Sequence, residues 1–182
     1  AVVKVFDESG TLIRAFEDTP VSLKAHSSTH IIVSNFLKDG LGVVTVKANP
    51  ANRVLANVME YGRKADGAIT AMYGIRAIEA RGTELRGSYN TFLKQDSTLW
   101  ILNPTDEYET ATLSMTRPDS PALIDNKSVK VPARGLLVID LNNYEKANHY
   151  GTVTVTPSHA NTINSWVTRA RGDEFVVPTP VR

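Results

Sequence analysis

The residues able to do chemistry are few and scattered along the 182-residue chain. Arg171-Gly172-Asp173, in "RARGDEFVV", is the tripeptide whose guanidinium and carboxylate animal integrins grip by salt bridge and metal coordination, which makes it a candidate adhesion loop. His26 and His30, in "HSSTH", would share one face of a strand and could hold a metal, but no acidic or cysteine partner stands near them in sequence. "DEYE", Asp106 to Glu109, offers carboxylates to calcium without the Asp-x-Asp-x-Asp-Gly spacing that surrounds an ion with oxygens, and reads as a solvated loop. A hydrolase would need a pocket gathering His149, His159 and acidic residues. There is no Gly-rich phosphate loop, no Gly-x-Ser-x-Gly elbow and no pair of catalytic carboxylates with an adjacent base. With no cysteine there is no disulfide, thiol catalysis or Cys-based zinc site. The expectation is a protein that is not an enzyme and uses no cofactor or metal. Trp100, Trp166, Tyr61, Tyr73, Tyr89, Tyr108 and Phe92 could form a stacking platform for sugar, but at 7 % aromatic content most are expected in cores.

These residues need elements to hold them, and self-comparison shows a repeat. "VSLKAHSSTHIIVSN" from Val21 aligns with "VKVPARGLLVIDLN" from Val129, and "GVVTVKANPANRVLAN" from Gly42 aligns with "GTVTVTPSHANTIN" from Gly151. The offset is about 107 to 109 residues. Asn57 falls on Asn164, "GRKADGA" on "TRARGDE", and "VVKVFDESGTLIRAF" on "TLSMTRPDSPALID". The expected units are residues 1–82 and 83–182.

Each unit reads as β. In "VVKVF", "VSLKA", "VVTVK", "ATLSM", "VKVPA" and "TVTVT" apolar and polar residues alternate, as half-buried antiparallel strands require. Gly, Pro, Asp and Asn clusters separate them, supplying turn dihedrals and local hydrogen bonds. The fold class expected is all-β, two tandem antiparallel β-sandwich (Ig-like) modules. "AITAMYGIRAIEA", Ala68 to Ala80, has apolar residues at helical spacing but reads as a strand to about Tyr73 and then a linker, with a short helix at Ile75 to Ala80 left open. Arg171-Gly172-Asp173 corresponds to "KADG", Lys64 to Gly67, so turn chemistry at a hairpin tip explains its Gly and Asp. Pro178 and Pro180, two residues apart, remove donors from one side of a strand and belong on an edge or in an extended tail.

Composition narrows the partners. Lys and Arg number 20 against 19 Asp and Glu, divided as 11 and 9 in residues 1–90 and 9 and 10 in residues 91–182. That balance gives no basic face for nucleic acid or anionic lipid. Apolar runs such as "GLLVI" are too short to cross a bilayer, and no signal-peptide pattern opens the chain, so it reads as a mature or trimmed soluble segment.

"STLWILNPTDEYETATLSM", then "VKVPARGLLVIDLN" and "GTVTVTP", resembles the β-sandwich (Ig-like) repeats of secreted and cell-surface bacterial proteins. The likeness covers Ser97 to about Arg182 well and Val2 to about Tyr73 in part. It implies an extracellular or cell-surface structural spacer, adhesive domain or assembly subunit. The alternative is a carbohydrate-binding module of a secreted hydrolase, which would present an exposed row of aromatics on one sheet. The strand "STLWILNP" has no counterpart in the first unit, because it would fall about ten residues before Ala1. A sandwich short of a strand leaves main-chain groups and an apolar groove open. An upstream segment, the connection "GIRAIEARGTELRGSYNTFLK" folding back, or a strand donated by another molecule would each close it, and the edge along Ala1, Val2, Val3, Lys4, Val5 and Phe6 is the expected place for strand addition by another protein chain, of the same or a different subunit.

Overall fold

The computed structural model describes residues 1–16, 21–38, 40–49, 54–77, 79–145, 148–172 and 175–181. Among them there are thirteen strands, three short 3-10 turns and no α-helix, and every strand pairing is antiparallel.

In the first part of the chain, β1 (Val2–Asp7) lies between β2 (Leu12–Ala15) and β3 (Gly42–Lys47), and β4 (Asn57–Arg63) pairs with β5 (Ile69–Arg76) as a separate hairpin. The rest of the chain forms two four-stranded sheets. One runs β6 (Leu85–Asn90), β11 (Tyr150–Pro157), β8 (Glu109–Arg117), β9 (Ser120–Val131). The other runs β10 (Leu136–Asp140), β7 (Asp96–Leu102), β12 (Asn164–Arg171), β13 (Phe175–Val181). Period-two alternation makes these two sheets face each other. Leu99 and Ile101 of β7, Leu113 and Met115 of β8, Val153 and Val155 of β11 and Val167 of β12 are fully buried in one cluster, while intervening residues point out. Among the described residues β13 is an edge strand paired only with β12, so Pro178 and Pro180 lie where a missing donor is tolerated.

A second, smaller cluster joins the two parts. Phe6 and Val43 are buried against Leu136, Trp100 and Leu102 on the outer face of the β7 sheet. Burying two such side chains is worth about 1.5–3 kcal/mol each. The Arg134 guanidinium lies 5.7 Å from the Phe6 ring centroid. Gly10 makes the close approach possible: its φ is +89°, and a Cβ there would stand 1.8 Å from the Ala133 carbonyl oxygen.

The repeat reappears in three dimensions. β1–β2 and β8–β9 are both hairpins, and β3 and β11 lie on the same side of them, giving strand orders β2-β1-β3 and β9-β8-β11. Gly42 and Gly151 open the matching strands for one reason, since a Cβ would meet the Phe6 carbonyl oxygen at 2.3 Å or the Thr116 carbonyl oxygen at 1.9 Å. His26 (φ 60°) and Arg134 (φ 56°) occupy matching turns, closed by Ser27 N–H to the Lys24 carbonyl and Gly135 N–H to the Pro132 carbonyl, both at 3.1 Å.

Two expectations differ from the structure. "VSLKA" forms no strand. Val21 exchanges two backbone hydrogen bonds with Ala1, as Val129 sits opposite Ala111, but the residues after Val21 form no ladder, whereas Lys130 and Val131 continue along Thr110 and Glu109. β5 also continues past Tyr73 to Arg76, and the described residues from Ala68 to Ala80 contain no helix. Its neighbour decides this, because Asn57 and Val58 of β4 pair with Arg76 and Ile75.

Candidate functional site

The least covered apolar surface lies on the β4–β5 hairpin. Its tip closes through Lys64 N–H to the Ala68 carbonyl and Ala68 N–H to the Asp66 carboxylate, both at 2.9 Å. Met59 and Tyr61 on β4 and Met72 on β5 project from one face and are about half exposed, with Val58, Ile69 and the preceding Leu55 similarly bare. Across the strands the Tyr73 hydroxyl donates to the Glu60 carboxylate. Burial, reinforced by Glu60, pushes the Tyr73 phenol well above its ordinary value.

The second repeat shows what covers such a hairpin. Its counterpart, β12–β13, is joined along β12 by β7, which is central in its sheet. Among the described residues β4 pairs only with β5, and β3 only with β1, whereas β11 is flanked by β8 and β6. The side chains differ as well. Val153 and Val155 on β11 are 0 % exposed, while their counterparts Val44 and Val46 on β3 are half-buried and 37 % exposed.

This moves the expected strand-addition edge. Ala1, Val2, Val3, Lys4, Val5 and Phe6 do not form an open edge, because β1 is central in its sheet. β3 pairs along one side from Val2 to Asp7, and the other side is taken by β2, Phe16 and Val21. The sequence reading placed the gap beside the first strand in the chain. Among the described residues, the strands with fewer partners than their counterparts in the second repeat are β3 and β4.

Arg171 and Gly172 sit at the tip of the β12–β13 hairpin, where Arg171 pairs with Phe175 and Gly172 has φ +52°. The β4–β5 tip likewise holds a glycine at positive φ, Gly67 at +86°. Asp173 lies outside the described residues, so no carboxylate geometry accompanies the Arg-Gly part of the motif.

The other candidates disperse. His26 and His30 are exposed and not on a strand. Asp106 accepts from Arg134 Nε at 2.6 Å, but Glu109 turns inward and is 3 % exposed, so "DEYE" is not uniformly solvated. Burial pushes the Glu109 carboxyl up, yet the His159 side chain and backbone and the Thr162 hydroxyl outweigh it and hold the group below its ordinary value. His149 Nε2 lies 3.2 Å from the Arg117 guanidinium, which also donates to Ser120 and pairs with the buried Glu145 at 3.6 Å. Burial, with Glu145 adding to it against Arg117, raises the neighbouring Tyr89 phenol to about 12. His149 and His159 stand beyond opposite ends of β11, so one pocket does not gather them: a strand of eight residues spans about 26 Å. No group of three or more His, Cys, Asp or Glu able to hold a metal occurs among the described residues.

Aromatic residues divide between core and surface. Tyr89 is buried, but Trp100 and Trp166 face each other across β7 and β12 on the outer side of the sheet, with parallel rings 6.0 Å apart. The Trp100 indole donates to Thr168 Oγ1 at 2.8 Å. Val138 and Pro180 extend this row across the sheet. Strand alternation carried the signal, since Leu99 and Ile101 inward put Trp100 outward. The exposed β4–β5 surface had no comparable signal, because β strands with two apolar faces read as core.

No protein-family model and no curated protein matches this sequence. Solved structures that overlap part of it include the following two. The crystal structure of Thermotoga maritima 1070 shares 12 % identity over 56 % of this chain and 94 % of its own, with a TM-score of 0.46. The Anabaena sensory rhodopsin transducer shares 15 % over 57 % of this chain and 100 % of its own, with a TM-score of 0.38. Both overlaps are too low to carry an argument about fold or activity.

Proposed function

We propose that this chain is a non-enzymatic, extracellular or cell-surface structural or adhesive subunit of a bacterial surface protein or filament, built from two tandem Ig-like β-modules of which the first is incomplete. It assembles with another protein chain through an open strand edge. The observation that carries this reading is the β4–β5 hairpin, which repeats β12–β13 but, among the described residues, pairs with no further strand and exposes Met59, Tyr61 and Met72. Native edges are ordinarily paired, covered or charged. Sedimentation of the full chain over a hundredfold concentration range tests the reading. We expect higher-order species that a Tyr61→Lys, Met72→Lys variant loses while its circular dichroism stays β-rich. A wild-type chain monomeric throughout, with no partner retained on it from the secreted proteins of its source, overturns the assembly role.

A second reading, a carbohydrate-binding module of a secreted hydrolase, has the Trp100–Trp166 row in its favour. Titrating soluble polysaccharides while following tryptophan fluorescence separates the two, because a glycan ligand shifts the emission and a purely structural module leaves it unchanged.

A further inference from the structure

We propose that His149 is a pH-sensitive latch at one end of the two facing four-stranded sheets. Neutral, it holds the loop that begins at Thr91 against the start of β11; protonated, it releases that loop. The inference is independent of the assembly role proposed above.

The chemistry lies in one contact. His149 Nε2 stands 3.2 Å from Arg117 Nη1. A guanidinium has N–H donors and no acceptor, so the imidazole nitrogen facing it must accept, and the ring is neutral with its proton on Nδ1. Protonation turns Nε2 into a donor and sets a second cation against the first. Arg117 is held in place from two other directions. Its Nη2 donates to Ser120 Oγ at 2.7 Å, and its Nε lies 3.6 Å from the carboxylate of Glu145, a side chain 8 % exposed. Tyr89 closes the cluster from β6, buried and donating its hydroxyl to the Thr116 carbonyl. Among the described residues these are the charged and titratable groups around the contact. Glu145 supplies one negative charge, which Arg117 already balances, so a protonated His149 is a cation in excess.

The same residue carries the mechanical part. Thr91 N–H donates to the His149 carbonyl at 2.9 Å, and the Thr91 hydroxyl donates to that carbonyl and accepts from His149 N–H, both at 3.2 Å. This rung stands one step past the last β6–β11 pair, Asn90 opposite Tyr150. Beyond it the loop is strained, because Leu93 and Lys94 hold φ of 56° and 59° in succession, a region costly for residues with side chains. It is also little buried. Phe92 and Leu93 are exposed, and the Phe92 ring lies 6.2 Å from that of Tyr150, itself exposed. A strained loop persists when its surroundings over-determine it, so loosening His149 lets the loop relax and parts Phe92 from Tyr150.

The test follows amide hydrogen exchange of the full chain by NMR at about pH 7.5 and about pH 5.5, which bracket the ordinary titration of an imidazole. Protection factors, corrected for the intrinsic effect of pH, should fall about tenfold at Thr91 and Tyr150 on acidification and hold on β8 and β12. His149→Gln keeps an acceptor for Arg117 but cannot take up a proton, and should hold its protection at both pH values. His159→Gln, at the far end of β11, should behave as the parent does. Protection at Thr91 that is the same at both pH values overturns the proposal. So does an equal fall in His149→Gln, or a fall abolished by His159→Gln. Should His149→Gln fail to fold, the ring-proton shifts of His149 in the parent decide: protonation that tracks the loss at Thr91 supports the latch, and protonation without that loss overturns it.

Discussion

The backbone N–H of Leu136 donates to the carbonyl of Glu8 at 3.0 Å, a main-chain bond between the first hairpin turn of the chain and the start of β10, 128 residues later. It fixes the turn against a loop whose own Arg134 covers Phe6 and whose Ala133 carbonyl faces Gly10. The turn is shaped for this contact, because the Asp7 carboxylate accepts from Ser9 N–H at 3.0 Å and from Thr11 N–H at 2.8 Å. The Ser9 hydroxyl, followed by those backbone donors, holds the Asp7 carboxyl below its ordinary value against the small cost of burial.

Gly10→Ala therefore tests the junction. The new Cβ meets a backbone oxygen at 1.8 Å and keeps an unfavourable φ of +89°, so the turn must withdraw from the loop. The expected outcome is a loss of about 2–4 kcal/mol in the stability of the β1–β3 sheet. Hydrogen exchange should rise at Leu136 and through β1 while the β8 and β11 amides keep their protection. Unchanged exchange at Leu136 contradicts the account.

The Trp100–Trp166 pair rests on one hydrogen bond from Trp100 to Thr168, a residue 7 % exposed. Thr168→Val conserves shape and removes the acceptor, which should cost about 1–3 kcal/mol and alter the exciton signal of the stacked indoles in circular dichroism. A variant as stable as the parent, with the same signal, shows that the ring contact is sufficient by itself.

Much of this was legible from residue order. Alternation in β8 and β11 marked which side chains enter the core, and the paired prolines marked β13 as an edge. The repeat carried the two hairpin tips, whose glycines are set by local backbone geometry, and the aligned Gly42 and Gly151, whose reason lies in a neighbouring strand. What depends on neighbours distant in sequence was not legible. β1 looked like an edge in chain order and is central because β3 returns to it from 40 residues away. Glu109 looked solvated within "DEYE", but it begins β8 on an inward position and meets His159 from another loop.

Glu109 gives a pH prediction. Its carboxyl is held below the ordinary value in the fold, so the stability it contributes is complete above the unfolded-state pKa and is lost as pH falls through the folded one. Glu109→Gln should destabilise the protein at pH 7 by about 1–3 kcal/mol, since the His159 backbone and side chain lose a charged, buried acceptor. Denaturation midpoints of the two proteins should converge between pH 5 and pH 3, a window set by the ordinary carboxylate range and the direction of the shift. A difference constant over that range would mean the carboxylate charge is not involved.

The last prediction concerns the edge the protein does protect. Among the described residues β13 is hydrogen-bonded only to β12 and also lies against β5, and Pro178 and Pro180, opposite Thr168 and Trp166, bring no N–H to its other side. Two donors two residues apart are what an incoming strand would need first, so the prolines close β13 while β4 has no such block. Replacing both, as Pro178→Thr and Pro180→Thr, should leave the fold intact within about 1 kcal/mol, because β-branched residues suit an edge strand that remains paired to β12. It should also create a second adhesive edge. Light scattering at constant concentration should then show faster growth of large species than in the parent, with new amide protection on β13 in those species. If the double variant scatters no more than the parent, the two prolines do not guard the edge, and the contrast between a closed β13 and an open β4 loses its basis.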